Sequence, residues 1–346
     1  MNATIQMDET ISTSMERLRL STAVLGVLIY VAGFIGNLLS FLLFIQKELR
    51  QVSTGLIFLL LNIFSTIHLL SLIFEFLSSI FEFQILPYNI FRCQFILWLQ
   101  NATRTVCSFL ATTVSMDRFI RSEYPIQSRI WCTTKIVVKL LIIYCLFSML
   151  LYAFFFHPLN VLDSDDHCSF PYDDIFRRIA LNIMPPIRFI LICVIPSIVM
   201  VGCGGRMLYN IRQAKQRIIQ QTTPHHAPVA TITIPTSIQN KINDENRRQI
   251  TTFDRMLLLM VLANVIAYII TQIPFSIYTL YYGYEALDSF TFYALMRAFL
   301  LMWSSVYFGI GFYLFCITSS QFRKQFLRKI KNLCICYRPL QHRAAP

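Results

Sequence analysis

The chain has 346 residues, 55% hydrophobic and 14% charged, with a formal net charge of +12. A soluble domain carries about 25% charged residues, so this composition excludes a soluble globular protein and predicts several membrane crossings. The positive charge does not read as a nucleic-acid footprint, because the cations bracket apolar stretches instead of clustering with aromatics in a polar domain.

Residues 1–20 are polar and mixed in charge, and they read as an N-terminal segment ahead of the first span, which inserts as its own signal. Asn2-Ala3-Thr4 is a glycosylation sequon, usable only if this end faces the lumen, and so short a motif also arises by chance. Seven apolar stretches follow, at about 21–45, 55–81, 91–121, 135–157, 184–213, 253–282 and 290–317. Each exceeds the roughly 20 residues that a spanning helix needs. The predicted fold is an all-α bundle of seven transmembrane helices over 21–317, with a tail over 318–346.

With the N-terminus outside, the inner segments are 46–54, 118–140, 206–256 and 318–346, and they hold 22 of the 30 Lys/Arg. The positive-inside rule therefore predicts N-out, C-in. The third stretch runs 25 residues from Cys93 to Arg118, about 37 Å as a helix against a hydrocarbon core of about 30 Å. One helix then carries a thiol at the outer interface and the triplet Asp117-Arg118-Phe119 at the inner one.

Between the fifth and sixth stretches, 214–249 is rich in Thr and Pro and predicts a flexible loop. His225-His226 lies in it, with no Cys or carboxylate nearby, and reads as polar filler rather than a metal site. No metal or cofactor is predicted elsewhere. In the tail, Phe322, Phe326 and Ile330 recur every four residues among cations, the pattern of an amphipathic helix on the inner leaflet. Cys334 and Cys336 follow it, as palmitoylation sites or as unmodified thiols.

Seven spans, a Cys heading the third and an Asp-Arg pair at its foot resemble the rhodopsin-like G-protein-coupled receptors, over about residues 21–331. Gly36-Asn37 is similar to the family's first-helix pair; an Asn within the membrane bonds across helices. Pro196 and Pro274 match its prolines in helices five and six, where a freed carbonyl creates a hinge. The resemblance implies a disulfide between Cys93 and Cys168, permitted on an oxidising outer face. It also implies that Arg118 pairs with Asp254 at the foot of helix six at rest, with Asp117 beside it. Separation of that pair would expose Arg118 to a cytosolic heterotrimeric G protein. A static topology anchor is the plainer reading of the same charges.

Several signature positions depart from the family. Phe119 stands for Tyr, Ser65 for the sodium-binding Asp, and Thr271-Gln272-Ile273 precedes Pro274 without the usual Trp. Helix four also lacks its Trp, with Tyr144 or Cys145 near that place. Gly311-Phe312-Tyr313-Leu314-Phe315 replaces Asn-Pro-x-x-Tyr, so Gly311 and Phe315 stand at its two conserved ends. The departures leave the architecture standing and put sodium regulation and the Trp-centred route of activation in question.

No lysine lies in 290–317, which excludes an opsin, and Gln100 stands where amine receptors carry an Asp. Gln100, Asn101 and Arg104 share one helix face at i, i+1 and i+4. Glu75, Gln272 and Arg297 complete the candidate ligand pocket; Glu75 either pairs with Arg104 or Arg297 or serves a ligand. Asp163, Asp165, Asp166, Asp173 and Asp174 make the outer loop acidic, which steers a basic peptide or marks an ordinary solvated loop. The expectation is a neuropeptide or peptide-hormone receptor in the plasma membrane. A transporter or channel is disfavoured because no internal repeat is visible, and an enzyme because the six histidines are scattered. A ligand-binding decoy of the same fold remains the rival, motivated by the lost Asn-Pro-x-x-Tyr.

Overall fold

The computed structural model describes residues 2–81, 94–157, 161–162, 168–169, 178–222, 259–281, 292–318, 322–324 and 326–328. Helix one is continuous from Asn2 to Phe44, so the polar N-terminal residues extend the first helix. Helix two covers Ser53–Phe81, helix three Leu97–Glu123, helix four Thr134–Leu151 and helix seven Phe292–Thr318. Helix six is described over residues 259–281. Two short helices, Lys47–Arg50 and Pro125–Trp131, turn the chain between the first and second and between the third and fourth.

Six of these helices are long and apolar enough to cross a membrane on composition alone. The missing one is helix three, and its burial explains why. Gln100, Asn101, Thr103, Arg104, Thr105, Ser108, Thr113, Ser115 and Asp117 are all buried in the bundle. A helix ringed by other helices meets protein instead of lipid, so it can be polar provided its groups find partners. Helix four is the opposite case. Only 11% of its apolar window is buried, and its Ile142, Ile143, Leu146 and Leu150 face outward.

Helix five is not a regular α-helix at its start. A π-helical turn at Ile179–Ile183, an α-helical segment at Met184–Phe189 and a second π turn at Ile190–Val194 lead into α-helix from Ile195 to Thr222. Prolines 185, 186 and 196 lack the N–H needed to keep an α ladder, and π turns are one way the chain absorbs that. The far end corrects the expected loop boundary. The helix continues through 214–222, because Ala214, Lys215, Gln216 and Arg217 are good helix formers and the first breaker is Pro224. The rest of the expected flexible loop, with His225 and His226, lies outside the described residues.

Helices one and seven pack closest. Gly33 and Gly309 face each other so tightly that a Cβ on Gly309 would meet the Cα of Gly33 at 2.5 Å. Small residues let helix backbones approach where no hydrophobic force between helices exists. The Tyr313 hydroxyl donates to the Ala32 carbonyl at 2.9 Å along the same seam. Among the described residues the two larger apolar clusters lie around Leu69, Leu72, Tyr268 and Phe308 and around Leu43, Ile57, Leu110 and Phe312, with a smaller third at Ala102, Tyr152 and Phe155.

Beyond helix seven, residues 322–324 and 326–328 are helical. Phe322 packs within 6.0 Å of the rings of Phe44, Phe312 and Phe315, and Phe326 lies 5.1 Å from Phe312. Arg323 and Lys324 point outward. Arg323 also donates to the carbonyls of Cys316 and Ile317, which end helix seven without intrahelical partners. This is the expected amphipathic arrangement for its described part; Ile330, Cys334 and Cys336 lie outside the described residues. A short antiparallel pairing of Val161–Leu162 with Cys168–Ser169 forms the one hairpin described, which hydropathy alone did not predict.

Candidate functional site

At one end of the bundle, Asp117 is the centre of a polar knot. Ser53 donates to it at 2.7 Å, Thr54 donates to its other oxygen, and Arg121 donates at 3.1 Å from one helical turn further on. Arg121 also reaches the Ser53 hydroxyl at 2.7 Å and the Cys132 carbonyl at 3.3 Å. The partner of Asp117 is thus Arg121, not its neighbour Arg118. Adjacent residues on a helix point about 100° apart, whereas i and i+4 lie on one face. Among the described residues, none makes a hydrogen bond to the Arg118 guanidinium. The expected partner, Asp254, lies outside the described residues, and Phe119 stacks edge-on against Tyr124 at 6.4 Å.

Helix three is tied to helix five at the same end. Arg206 lies 3.2 Å from Glu123, and Asn210 donates to the other Glu123 oxygen. The Asn210 bond first, then Arg206, holds the Glu123 carboxyl below the usual carboxylate range. A depressed acid contributes above its unfolded value of about 4.3 and loses that contribution as pH falls through the folded value. The clasp is therefore intact at neutral pH.

Cys132 sits against this knot, its thiol 3.9 Å from the Asp117 carbonyl oxygen. Burial, with the Asp117 charge behind it, pushes the thiol pKa up to about 11. The thiolate is the reactive form. Cys132 is therefore expected to alkylate slowly with iodoacetamide at pH 7.4, its rate rising up to about pH 11. Half-maximal labelling near pH 8.5, followed by mass spectrometry, would contradict this environment.

In the opposite half of the bundle, Arg104 donates to the Gln272 side-chain oxygen at 2.9 and 3.2 Å and lies 4.4 Å from the Phe275 ring centre. Gln272 passes the link to helix seven by donating to the Ser304 carbonyl at 2.9 Å. Gln100 donates to the Ser71 carbonyl at 3.0 Å, and Asn101 accepts from Arg188 at 2.9 Å. Gln100, Asn101, Arg104 and Arg297 line one cavity, together with His68, Arg188 and Phe275. Gln272 stands behind Arg104 and is not in the wall. The side chain of Glu75 lies outside the described residues, as do Cys93 and all but the backbone of Cys168. At Asn2 only the helical backbone is described.

Residues 36–307 match the family described as 7 transmembrane receptor (rhodopsin family). The chain belongs to that family. It is also 22% identical over 325 residues to a Caenorhabditis elegans protein named "Probable G-protein coupled receptor B0563.6". That similarity covers 86% of this chain and 66% of the nematode protein's length.

In this receptor the two proline positions have a shared structural answer. Pro196 has no N–H for the carbonyl of Ile192, four residues earlier, and the Tyr268 hydroxyl of helix six donates to that carbonyl instead. Pro274 likewise frees the carbonyl of Ile270, and the Trp303 indole of helix seven donates to it at 3.0 Å. Tyr268 also meets the Ser108 hydroxyl at 2.7 Å, so one buried hydroxyl joins helices three, five and six. Sequence reasoning named the prolines but missed Tyr268, Trp303, Arg121 and Arg188. A rule that each freed carbonyl needs a donor says that such partners exist, not which residue supplies them. Tyr268→Phe is expected to cost about 1–3 kcal/mol, since it removes the buried hydroxyl that donates to the Ile192 carbonyl. Thermal unfolding of the purified receptor reads this, and an unchanged midpoint would contradict the link.

Asn37, Gly311 and Phe315 line a second cavity with Ser40, Asn62, Ser65, Asn264 and Tyr307. Asn62 donates to the Asn37 carbonyl at 2.7 Å, and Ser65 lies 3.8 Å from the Cys107 sulfur. No carboxylate is among the described lining residues, so the cavity offers neutral dipoles rather than the anionic ligand of a cation site. Polar, roomy cavities of this sort hold water.

Proposed function

We propose that this chain is a plasma-membrane receptor, N-terminus outside, that answers an extracellular peptide by activating a heterotrimeric G protein. The observation that carries the reading is the knot around Asp117. It pins the foot of helix three to the start of helix two and leaves the adjacent Arg118 outside the knot. A cationic side chain at that depth needs water or a partner, and a cytosolic protein entering the bundle end supplies one. Asp254 is the proposed resting partner of Arg118, and Phe119 fills the place beside it. Pro196 and Pro274 are the proposed hinges, each latched by a side chain from another helix that must let go if the helix swings.

The peptide part of the reading rests on the sequence. Gln100 removes the acid that a small amine needs, and the loop acids Asp163, Asp165, Asp166, Asp173 and Asp174 favour a ligand with cationic residues. A disulfide between Cys93 and Cys168 is proposed to hold that loop across the pocket. Cells expressing the chain, screened against a peptide library with a second-messenger readout, are expected to respond to peptides. Activation by amines alone would overturn the ligand class. A weakly coupling receptor is the second reading, favoured by Gly311-Phe312-Tyr313-Leu314-Phe315 at the end of helix seven, beyond the matched residues. It predicts saturable peptide binding without nucleotide exchange.

A further inference from the structure

His68 lies inside helix two, only 1% exposed. One of its two ring nitrogens has a hydrogen-bond partner and the other has none. Nδ1 lies 3.0 Å from the Thr103 hydroxyl of helix three, while Nε2 is buried and makes no hydrogen bond. Thr103 decides which nitrogen carries the proton. Its hydroxyl lies 2.6 Å from the Leu99 carbonyl and 3.3 Å from the Gln100 carbonyl. Carbonyl oxygens only accept, so the single hydroxyl proton of Thr103 is spent on them. The hydroxyl oxygen then accepts from Nδ1, which is therefore the N–H of the ring. A charged imidazole at this depth would need a counter-charge, and among the described residues no acid pairs with it. Nε2 is thus a bare lone pair.

The ring is held so that it cannot turn to find a donor of its own. Thr103 fixes one edge, and Phe308 of helix seven packs on it with 4.3 Å between ring centres. A buried acceptor left unmet is costly, and it calls for a donor from outside the fold. His68 stands in the wall of the cavity that also holds Gln100, Asn101 and Arg104. The polar side chains there are otherwise engaged within the protein. Gln100, Asn101, Arg104 and Arg188 have the partners described above, and Arg297 has a partner too. Nε2 is the buried polar atom of the described lining that has none.

The enclosed space takes a group of about the size of a water molecule, so a ligand presents a tip there and not its body. A water on Nε2 is the occupant that such a tip displaces. Leu72, Leu97 and Leu301 supply apolar wall around it. These favour a neutral donor, since an ammonium would lose its hydration against them. Phenol and indole each carry one neutral donor on an apolar ring. We propose that His68 is a specificity-determining residue of the receptor, its Nε2 accepting a hydrogen bond from a phenol O–H or an indole N–H of the ligand. The inference rests on the receptor reading above and narrows its peptides to those that lead into the bundle with Tyr or Trp.

The test uses the full-length receptor in nanodiscs, isotope-labelled at the histidine nitrogens and read by NMR. The probes are phenol and indole, each paired with a methylated form that keeps the ring and lacks the donor, anisole and N-methylindole. The His68 signals are identified by their loss in His68→Asn, whose amide keeps a donor for Thr103 and removes Nε2. His68→Gln identifies them if that variant does not fold. The free receptor is expected to show Nε2 unprotonated, and phenol or indole to shift that signal while the methylated forms leave it in place. A protonated Nε2, equal shifts within each pair, or no shift with any probe would overturn the proposal; the last would mean that water alone occupies the place.

Peptide-stimulated nucleotide exchange is read on the same receptor, with a library bearing Tyr and Trp and its counterpart methylated at the phenol oxygen and indole nitrogen. Active peptides are expected to lose about tenfold in potency on methylation, and His68→Asn to cost the same and to erase the difference between the libraries. A difference that persists in His68→Asn is steric and would also overturn the contact. Donor-dependent shifts without exchange by any peptide keep the His68 site and remove the receptor reading. Exchange indifferent to methylation does the reverse.

Discussion

The Gly309→Ala receptor is expected to lose most of its folded population in detergent, while Gly311→Ala behaves like wild type. The two positions share a helix and a residue type, and they differ only in what a methyl group would meet. At Gly309 the new Cβ would lie 2.5 Å from the Cα of Gly33, and that obstacle is backbone, which has no rotamer to change. Helices one and seven must therefore move apart, which breaks the Tyr313–Ala32 hydrogen bond and opens the packing beside it. Overpacking costs about 1–3 kcal/mol in well-packed cores, and a backbone clash belongs at the upper end. At Gly311 no atom lies within 4 Å of the added carbon, and alanine is the better helix former by about 1 kcal/mol. Thermal unfolding of the two variants side by side checks this. Equal loss of stability in both would contradict a helix one–seven seam closed by the Gly33–Gly309 contact.

Asp117→Asn is expected to raise ligand-independent nucleotide exchange several-fold and to lower stability by about 1–3 kcal/mol. The wild-type carboxylate accepts from Ser53, Thr54 and Arg121 at once. An asparagine keeps one acceptor oxygen, turns the other into a donor facing donors, and strips Arg121 of its ion pair. Arg121 is one-third exposed, so water recovers part of that loss. The knot belongs to the described state and fixes the foot of helix three, whereas the proposed switch has that foot move, in a second state, when Arg118, already outside the knot, engages a G protein. Weakening the knot shifts the population towards that second state by as much as the knot favours the first. Basal exchange equal to wild type, at equal surface expression, would show that the knot anchors topology and does not hold a switch.

Much of the fold was legible in the sequence because hydropathy is a strong one-dimensional signal. Six spans stand on composition, and the bundle follows from them. Helix three reads in the sequence as an apolar stretch like the others, over about 91–121, with Cys93 and Asp117-Arg118 marking its ends, but its centre is polar and it is not among the six helices apolar enough to span on composition. The boundary of helix five was missed because a flexible-looking Thr/Pro tract hid the helix formers before Pro224. In the candidate site, single-helix geometry predicted that Gln100, Asn101 and Arg104 lie together, and they line one cavity. Arg188 was not predicted, since nothing local to Met184–Phe189 says which way a π-flanked segment turns its side chains. The Asp117–Arg121 pair was visible as an i, i+4 spacing, but the adjacent Asp-Arg signature drew attention to Arg118 first. Tyr268 and Trp303 illustrate the general limit. A proline announces a freed carbonyl, whereas its donor comes from another helix at a separation of dozens of residues.

The central claim is that Arg118 at the foot of helix three carries the signal to a G protein. The most direct measurement is agonist-stimulated GTPγS exchange on purified heterotrimeric G protein by nanodisc-embedded receptor, wild type against Arg118→Ala, with binding of the same agonist recorded alongside. The account predicts that Arg118→Ala binds as wild type does but loses the stimulated exchange. Unchanged exchange by Arg118→Ala would contradict it.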